Sequence, residues 1–416
     1  MRGCGSSDRF EVKGMRRLKI RNLGALKDVD IEFGQVNVII GPQSLGKSTV
    51  LKVASYCTWV EKRIELTQDY AQFAQEDAFI KELIEFHKLN GYIKSDTFIE
   101  YETDFMKFSY DHANKQFHFD WRDRRWEYRR PKVSYIPSER NLVAAIPNWY
   151  EVSMGRNNIR SFMTDWETAR LATTDNLDIL NLDVTYHYES DGKKDKVQSH
   201  QSSLLDFTNT SSGLQSLIPL FVHLNYLYTT QYQVEKDKKI KGDWENDELL
   251  ENLYQDLFVK TERTKPVIEK LDLGDGDFFP LQKYVKRNLG NHVLKFTSKQ
   301  DADDCESIYE RYLMTDHCEV FLEEPENNLF PPTQDSLVKW LLDKTLDERS
   351  NTLFVATHSP YVLSSVLEEK KIPLSLFFVY EEDGESKVKT ASEEDMRGIY
   401  DYGIDAFFNL DNLVSE

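Results

Sequence analysis

The hydrophobic and polar positions of the chain predict a sheet at its amino-terminal end. Residues 18–23 and 29–33 alternate between apolar and polar side chains, as the half-buried strands of an antiparallel hairpin do. Residues 36–40, Val-Asn-Val-Ile-Ile, form a nearly continuous apolar run that is typical of a strand covered on both faces. A glycine-punctuated segment, 41–48, follows this strand, and residues 48–59 have the pattern of a helix.

Later segments predict more strands. Alternation between residues 97 and 121 indicates an antiparallel β layer. The turn dipeptide Asp191-Gly192 predicts a hairpin. Short apolar runs predict further strands at 132–136, 320–322, 353–356 and 376–380.

Helical patterns separate these strands at 156–180 and 213–232, and the charged segment 233–305 is predicted as a mostly helical insertion. Strands that alternate with helices around a parallel core indicate an α/β fold. We therefore expect a mainly parallel core sheet, an antiparallel β layer and a helical lobe.

The charge of the chain narrows its range of partners. It has 71 acidic and 52 basic residues, a formal net charge of −19. An acidic field of this size repels a phosphate backbone over roughly 8–10 Å, so any contact with nucleic acid has to be local. Nucleic acid is thus a possible but not a favoured partner.

The cysteines and the absence of long apolar runs indicate a cytoplasmic protein. Cys4, Cys57, Cys305 and Cys318 form no CxxC pair, which favours reduced thiols over a zinc site. The first ten residues lack the apolar stretch of a signal sequence. No run reaches the roughly 18 apolar residues that a membrane span needs, so no membrane contact is expected.

Residues 41–48, Gly-Pro-Gln-Ser-Leu-Gly-Lys-Ser, match the phosphate-binding pattern G-x-x-x-x-G-K-[ST] between a buried strand and a helix start. Glycine lets the backbone come close to phosphate oxygens, and the free N–H groups of the helix start face the anion. Lys47 is expected to bridge the β- and γ-phosphates, and the Ser48 hydroxyl to ligate Mg²⁺. The predicted nucleotide contacts are Gly41, Pro42, Gln43, Ser44, Leu45, Gly46, Lys47, Ser48 and Thr49. A chance match in an ordinary turn is the alternative.

Two acidic residues follow the predicted strand 320–322. A metal–phosphate site needs one carboxylate to hold Mg²⁺ and a second to polarise the attacking water. We assign Glu323 to the metal and Glu324 to the catalytic base. The alternative is a solvated acidic turn, which is common in so acidic a chain.

His358 ends the predicted strand 353–356 in the same way. An imidazole there can hydrogen-bond a γ-phosphate oxygen and hold the water in line, so His358 joins Lys47 and Glu324 as a predicted catalytic residue. The alternative is an ordinary surface or packed histidine, as most of the nine histidines should be.

Residues 211–216, Ser-Ser-Gly-Leu-Gln-Ser, precede the apolar helix 213–232. Small residues with free N–H groups at a helix start can bind a second anion, although an ordinary Ser N-cap explains the same pattern. Ser212, Gly213 and Gln215 are the candidate nucleotide contacts here.

Along the chain the four motifs follow in the order phosphate loop, Ser-Gly signature, paired acids and His358, and this ordered set resembles that of the ABC-type ATPases. Over roughly residues 15–380 the chain is similar to their soluble branch, which includes structural-maintenance-of-chromosomes heads, DNA-repair clamp ATPases and the overcoming-lysogenisation-defect family. The hairpin 18–33 is similar to the first hairpin of that branch, and Glu-Glu-Pro-Glu and Thr357-His-Ser-Pro are similar to its Walker B and H-loop forms.

Some positions depart from the family pattern. Leu214 stands where the signature Leu-Ser-Gly-Gly-Gln has its second glycine, and Glu323 replaces the usual Walker B aspartate. The usual Q-loop glutamine has no clear counterpart. Residues 135–140 occupy roughly its place, where Glu139 and Arg140 are candidates either for sensing γ-phosphate or Mg²⁺ or for a structural ion pair.

The resemblance implies one ATPase domain over 15–416, with ATP and Mg²⁺ as cofactors. Residues 15–135 and 306–416 would form the nucleotide-binding core with its β layer, 136–232 the signature-bearing lobe and 233–305 the insertion. It also implies a head-to-tail homodimer, in which the signature turn of one copy completes the nucleotide site of the other.

Three outputs are compatible with such an ATPase. The first is control of a separate effector protein, as in ATPase subunits of bacterial antiphage defence systems. This is expected because the chain ends too soon after His358 for the Toprim nuclease domain of several family members. The second is a DNA-repair clamp, suggested by the basic and aromatic segment 121–132 unless that segment is a solvated strand edge. The third is a nucleotide-locked scaffold with little turnover.

Overall fold

The computed structural model describes residues 14–199, 204–232, 269–270, 285–289, 292–296, 298–347, 349–369 and 372–402. Up to residue 121 the strands are β1 (Arg16–Leu23), β2 (Leu26–Glu32), β3 (Val36–Ile40), β4 (Ile93–Thr103), β5 (Met106–Asp111) and β6 (Gln116–Trp121). The next are β7 (Pro131–Ile136), β8 (Leu177–Asp178), β9 (Val184–Glu189), β10 (Lys194–Ser199), β11 (Leu205–Asp206), β12 (Glu269–Lys270), β13 (Val285–Leu289) and β14 (His292–Phe296). The last are β15 (His317–Glu323), β16 (Thr352–Thr357), β17 (Leu374–Glu382) and β18 (Glu385–Thr390).

The α-helices of the described ranges lie between these strands and after the last of them, and a π-helical turn, Tyr226–Thr230, extends the sixth helix. They are α1 (Lys47–Thr67), α2 (Ala71–Ala74), α3 (Ala78–His87), α4 (Leu142–Ala145), α5 (Asn158–Ala172), α6 (Ser212–Asn225), α7 (Lys299–Leu313), α8 (Pro331–Thr345), α9 (Pro360–Glu368) and α10 (Glu393–Tyr402). No helix in these ranges is both long and apolar enough to cross a membrane.

The described strands build an 11-stranded sheet in the order β6-β5-β4-β1-β2-β18-β17-β3-β16-β15-β7. Strands β17, β3, β16, β15 and β7 are mutually parallel, whereas β2, β1, β4, β5 and β6 are antiparallel. The predicted α/β fold is therefore confirmed. The antiparallel strands between 93 and 121 continue the core sheet, and a separate antiparallel sheet is formed by β11-β10-β9-β8.

The parallel strands are buried on both faces, which explains their continuous apolar runs. In β3, Val36, Val38 and Ile40 pack on the side of α5, α6, α8 and α9, while Ile39 packs on the side of α1. Strand β16 alternates in the same way, with Val355 on the first side and Phe354 on the second.

Helix α1 lies between the core strands and the antiparallel strands. Its Val50, Val53 and Val60 share one apolar cluster with residues of β1, β4 and β5. Close to its end, Glu61 accepts hydrogen bonds from Thr103 Oγ1 at 2.7 Å and Tyr101 Oη at 3.2 Å, both on β4. The helix that follows the phosphate loop is thus fixed along its length.

Two sequence predictions need correction. The helix predicted over 156–180 ends at Ala172, and Leu177–Asp178 is a strand instead. In the predicted helical insertion, residues 233–268 lie outside the described residues, but β12, β13 and β14 form a three-stranded antiparallel sheet. Because Leu289 pairs with His292, only Gly290-Asn291 separates the paired positions, and this dipeptide is a two-residue hairpin signal that the helical prediction overlooked.

Candidate functional site

The phosphate loop, the carboxylate pair and His358 lie close together because each follows the carboxyl end of a parallel strand, and these strand ends are in register. Strand register places Ile40 beside Thr357 and Ala356 beside Glu323. The phosphate loop, the carboxylate pair and His358 therefore leave the sheet at its carboxyl edge, where α/β sheets bind their ligands. The structure brings together from three separate strands the residues that the sequence analysis singled out.

The phosphate loop has the backbone conformation that its glycines permit. Gly41 has φ 153°, and a Cβ at this position would lie 2.0 Å from the carbonyl oxygen of Val379. Gly46 has φ 106° and caps α1, whose first turn has no side-chain cap and no acidic residue. The first N–H groups of this 21-residue helix are therefore available to an anion. The loop side chains Pro42, Gln43 and Ser44 are exposed, whereas Thr49 is buried.

Lys47 lies inside the loop and not on its surface. It is 4 % exposed, and its Nζ donates to the carbonyl of Pro42 at 2.6 Å. Burial lowers its pKa to about 8, and the carboxylates of Glu324 and Glu326 offset part of this effect. The ammonium therefore lies within the electrostatic reach of the acidic residues that follow β15.

Glu323 is a buried carboxylate, 4 % exposed, that lies near Lys52 of α1. Its Oε2 accepts from the backbone N–H of Ser138 at 3.3 Å, and Lys52 Nζ lies 3.7 Å from its Oε1. That Oε1 has no hydrogen-bond partner among the described residues. Lys52 lies one turn of α1 beyond Ser48, so the carboxylate faces the same side of the helix as the Ser48 hydroxyl.

These residues fit a magnesium ion. The described residues contain no group of three or more His, Cys, Asp or Glu side chains that could hold a metal by themselves. Mg²⁺ is usually held by one or two protein oxygens together with substrate phosphates and water. Oε1 of Glu323, which has an ion-pair partner in Lys52 but no hydrogen-bond partner among the described residues, and the Ser48 hydroxyl are such a pair.

Glu324 and His358 are partners. Glu324 Oε1 lies 3.5 Å from His358 Nε2, and about a third of each side chain is exposed. The pKa of Glu324 lies below its ordinary value, chiefly because His358 donates a hydrogen bond to it. Glu324 has φ 44°, a conformation that is uncommon for a residue with a side chain, and its N–H bonds to the carbonyl of Ala356 at 2.8 Å.

Glu326 and Arg140 support this arrangement, and the sequence analysis gave neither of them this role. Glu326 Oε1 accepts from the backbone N–H of His358 at 2.7 Å and from Thr357 Oγ1 at 2.9 Å. Arg140 is 1 % exposed and donates to the backbone carbonyl of Glu324 at 2.7 Å. Its hydrogen bonds go to backbone carbonyls and not to the acidic partner of a structural ion pair, although Glu323, Glu324 and Glu326 lie within electrostatic reach. A role in sensing γ-phosphate or Mg²⁺ stays a prediction. The one sequence signal for Glu326 is its position two residues after Glu324 in Glu-Glu-Pro-Glu, and no local pattern indicates the bonds of Arg140.

The signature turn begins α6 on the protein surface. Ser211 and Ser212 are exposed, and the Ser211 hydroxyl caps the helix by accepting from Leu214 N at 3.4 Å. Gly213 lies against the loop that follows the carboxylates, since a Cβ there would be 3.1 Å from the carbonyl of Asn328. Leu214, which replaces a family glycine, packs against the apolar core.

Gln215 uses its amide within its own loop. Its Nε2 donates to the carbonyls of Thr208 at 2.9 Å and Thr210 at 3.0 Å. This side chain shapes the turn that presents Ser212, and its contact with nucleotide stays a prediction.

The basic and aromatic segment 121–132 is largely neutralised by its own neighbours. Arg125 lies over the rings of Trp121 and Trp126, with 3.7 Å and 4.1 Å from its Cζ to the two centroids. The other cations of the segment pair with acidic residues or donate to the backbone: Arg122 with Glu102, Arg124 with Asp104, Arg129 with Asp316, Lys132 with Asp165, and Arg130 with the carbonyl of Leu313. Of the two interpretations of this segment, the solvated strand edge is the one that the contacts favour.

A second concavity lies at the opposite edge of the sheet. It has a volume of about 680 Å³ and is lined by residues at the amino ends of the parallel strands, among them Pro131, His317 and Thr352. It is therefore separate from the phosphate loop and the carboxylates.

Comparison with known proteins agrees with these motifs. Residues 17–311 match the family model described as an AAA domain, a range that includes the phosphate loop and the signature turn. No curated protein matches at a significant level.

Solved structures give further similarities. The chain is similar to the SMC head domain from Thermotoga maritima, at 10% identity and TM-score 0.39, over 91% of this chain and 99% of that one. It is also similar to an Smc head domain bound to the C-terminal domain of ScpA derived from Pyrococcus furiosus, at 11% identity and TM-score 0.31, over 93% and 98%. A third similarity is to the recombination mediator protein RecF-ATPrS in the RecFOR pathway, at 11% identity and TM-score 0.28, over 92% and 99%.

Proposed function

This chain belongs to the AAA domain family, and from this premise we propose that it is an ATP-hydrolysing switch in which two copies close around nucleotide and control a separate effector protein. The observation that carries the proposal is the meeting of Lys47, Glu324 and His358 at one edge of the sheet, each from the end of a different parallel strand or from the loop after it. A solvated acidic turn or a chance loop match does not require such convergence.

The phosphate loop would bind the triphosphate through backbone and side chain together. The uncapped N–H groups at the start of α1 meet the phosphate oxygens, and the partial positive charge of the helix end favours the anion. Lys47 then exchanges the Pro42 carbonyl for the β- and γ-phosphates, which are stronger acceptors for an ammonium. Ser48 and Glu323 would hold Mg²⁺, which supplies positive charge to the phosphates when it is bound.

Glu324 and His358 would carry the hydrolytic step. Glu324, whose pKa lies below its ordinary value, is ionised at neutral pH and can accept a hydrogen bond from the attacking water and orient it. His358, 3.5 Å from that carboxylate, is placed to donate to a γ-phosphate oxygen where charge develops. Glu326 holds the backbone of His358 in this position.

Support for two copies comes from the signature turn. Ser211 and Ser212 present the amino end of α6 to solvent, which is the anion-binding end of a helix. Contact of this end with the γ-phosphate of a second copy would join the copies only while ATP is intact. Such a switch needs about 5 kcal/mol of differential binding. A few charge-assisted hydrogen bonds of about 1.5–3 kcal/mol each are sufficient.

Phosphate release and molar mass by light scattering test this proposal with Mg²⁺ and ATP. The unmodified chain is expected to hydrolyse ATP and to form a dimer during turnover. Glu324→Gln keeps nucleotide contacts but loses the base, so turnover should fall at least 100-fold while the dimer persists. Ser212→Arg should remain monomeric with ATP, and Glu368→Gln on the surface of α9 serves as the matched carboxylate control.

Equal turnover in Glu324→Gln and Glu368→Gln would refute the catalytic assignment. A monomer under all nucleotide conditions would refute the switch. A dimer with no measurable turnover in the unmodified chain would favour the nucleotide-locked scaffold.

Control of an effector rests on the resemblance to ATPase subunits of antiphage defence systems. We expect Glu324→Gln, expressed with its genomic neighbours, to retain a partner protein in the presence of ATP. Lys47→Ala should lose that partner, because it cannot bind nucleotide. Retention of the same proteins by both variants would exclude nucleotide control.

A further inference from the structure

Arg140 joins two parts of the site that the proposed mechanism assigns to different nucleotides. It lies in the 3-10 turn Ser138–Asn141, directly after β7, and is 1 % exposed. Its Nη2 donates to the carbonyl of Glu324 at 2.7 Å, and its Nη1 to that of Glu323 at 2.9 Å. Its Nε donates to the carbonyl of Ser216, in the first turns of α6, at 3.2 Å. One guanidinium thus holds the carboxylate turn and the signature helix.

The chemistry of these contacts requires an arginine. All the acceptors are backbone carbonyls, including those of Pro137 at 3.4 Å and Pro325 at 3.3 Å. A planar guanidinium reaches carbonyls in several directions at once, whereas a lysine ammonium at this position would replace three nitrogens with one. Burial lowers the pKa of Arg140 to about 10, so it keeps its charge at neutral pH.

A second contact joins the same two segments. Asn328 Nδ2 donates to Ser216 Oγ at 2.8 Å, and the Asn328 carbonyl lies against Gly213. The loop after β15 and the start of α6 are therefore linked through Ser216 by two independent donors, and a displacement of one segment is expected to displace the other.

We propose that Arg140 is a positioning residue that couples the two nucleotide sites of the dimer, by making the place of Glu324 depend on the place of the signature helix in the same copy. The proposal rests on the dimeric function above, in which Glu324 acts on the nucleotide of its own phosphate loop and Ser212 contacts that of the partner. When Ser212 engages one triphosphate, α6 and Arg140 shift the backbone of Glu324 at the other. Its uncommon conformation, φ 44°, is held from one side by Ala356 and from the other by Arg140.

Cooperativity of ATP hydrolysis is the readout that a merely structural arginine would not change. For the unmodified chain we expect a Hill coefficient of about 1.5 or more. Arg140→Lys should lower the Hill coefficient to about 1 and reduce kcat about tenfold. The affinity for ATP should stay within about threefold. It is measured by binding to Glu324→Gln with and without Arg140→Lys. Arg170→Lys is the matched control, since Arg170 is 5 % exposed and bonds Asp195 within the helical lobe. It should leave the Hill coefficient unchanged.

Ser216→Ala removes the second contact and leaves Arg140 in place. It is expected to lower the Hill coefficient partially, and it keeps the proposal testable if Arg140→Lys does not fold. An unchanged Hill coefficient in a folded Arg140→Lys, or in Ser216→Ala where the other variant fails to fold, would overturn the coupling. So would a Hill coefficient of 1 in the unmodified chain. Absence of ATP hydrolysis in the unmodified chain would instead overturn the proposed function itself.

Discussion

The protonation state of Lys47 is expected to control the affinity of the phosphate site for ATP, independently of hydrolysis. Its burial in the loop, 4 % exposed, penalises the ammonium and lowers its pKa to about 8. A bound triphosphate needs the protonated form. Nucleotide binding should therefore be accompanied by proton uptake once the pH exceeds about 8.

The proton uptake determines how the affinity for ATP changes with pH. Between about pH 7 and pH 8 the Kd should change little, and above pH 8 the affinity should fall about tenfold per pH unit. Calorimetric titration of Glu324→Gln, which prevents turnover, measures the profile. Lys47→Arg stays charged over this range and should bind more weakly but with a flat profile. A flat profile in the parent as well would contradict the assignment of Lys47.

The residues of the site differ in how far sequence could identify them. Lys47, Glu324 and His358 belong to short patterns that follow predicted strands, and the structure brings all three together. Arg140 bonds backbone carbonyls, and Glu326 accepts from the backbone N–H of His358 and the Thr357 hydroxyl, all in segments distant along the chain. A pattern of side-chain types carries no signal for such contacts.

Among elements, α1 links the phosphate loop to the antiparallel strands through a buried carboxylate. Glu61 is 3 % exposed, and its oxygens accept from Tyr101 and Thr103. Burial raises the pKa of Glu61 to about 7, although Arg16 and the two hydroxyls favour the ionised form and Glu319 disfavours it. The folded state therefore holds a proton that the unfolded chain releases near its ordinary value of 4.5.

Glu61 should make the fold less stable as the pH rises. Its protonated form contributes fully below about pH 4.5, and this contribution is lost as the pH passes through about 7. Glu61→Gln lacks this titration, so its free energy of unfolding relative to the parent should rise by up to roughly 3 kcal/mol between pH 5 and pH 8. Urea denaturation at both values measures the difference. An equal difference at the two pH values would contradict the assignment.

The sequence predicts a strand correctly where both of its faces are buried or where buried and exposed side chains alternate along it. Strands β3, β15 and β16 are predicted from their continuous apolar runs, because both faces of each strand are buried. Strands β13 and β14 lie in a charged stretch whose composition predicts a solvated helix, and the dipeptide Gly290-Asn291 is the one local signal for a hairpin there. The order of the strands in the sheet could not be predicted from the sequence either. The antiparallel strands join the parallel core through the pairing of β2 with β18, and these segments are far apart along the chain.

At the scale of the whole molecule, charge bears on whether the protein binds DNA. The net charge is −19, and the arginines of segment 121–132 already have acidic, aromatic or carbonyl partners. Each phosphate contact would have to break such a pair and to approach an acidic surface. We therefore expect weak binding of duplex DNA, with a Kd above about 10 μM at physiological salt.

The salt dependence of DNA binding distinguishes a protein that binds DNA weakly from a DNA clamp. A protein that neutralises several phosphates releases the same number of counterions, and the slope of log K against log salt is about −0.9 per phosphate. We expect a slope shallower than about −2 with or without ATP, and no change in Arg129→Ala, whose arginine is paired with Asp316 at 3.0 Å. A slope of about −4 or steeper that Arg129→Ala makes shallower would show that these pairs open toward DNA. The clamp would then replace effector control as the function of the switch.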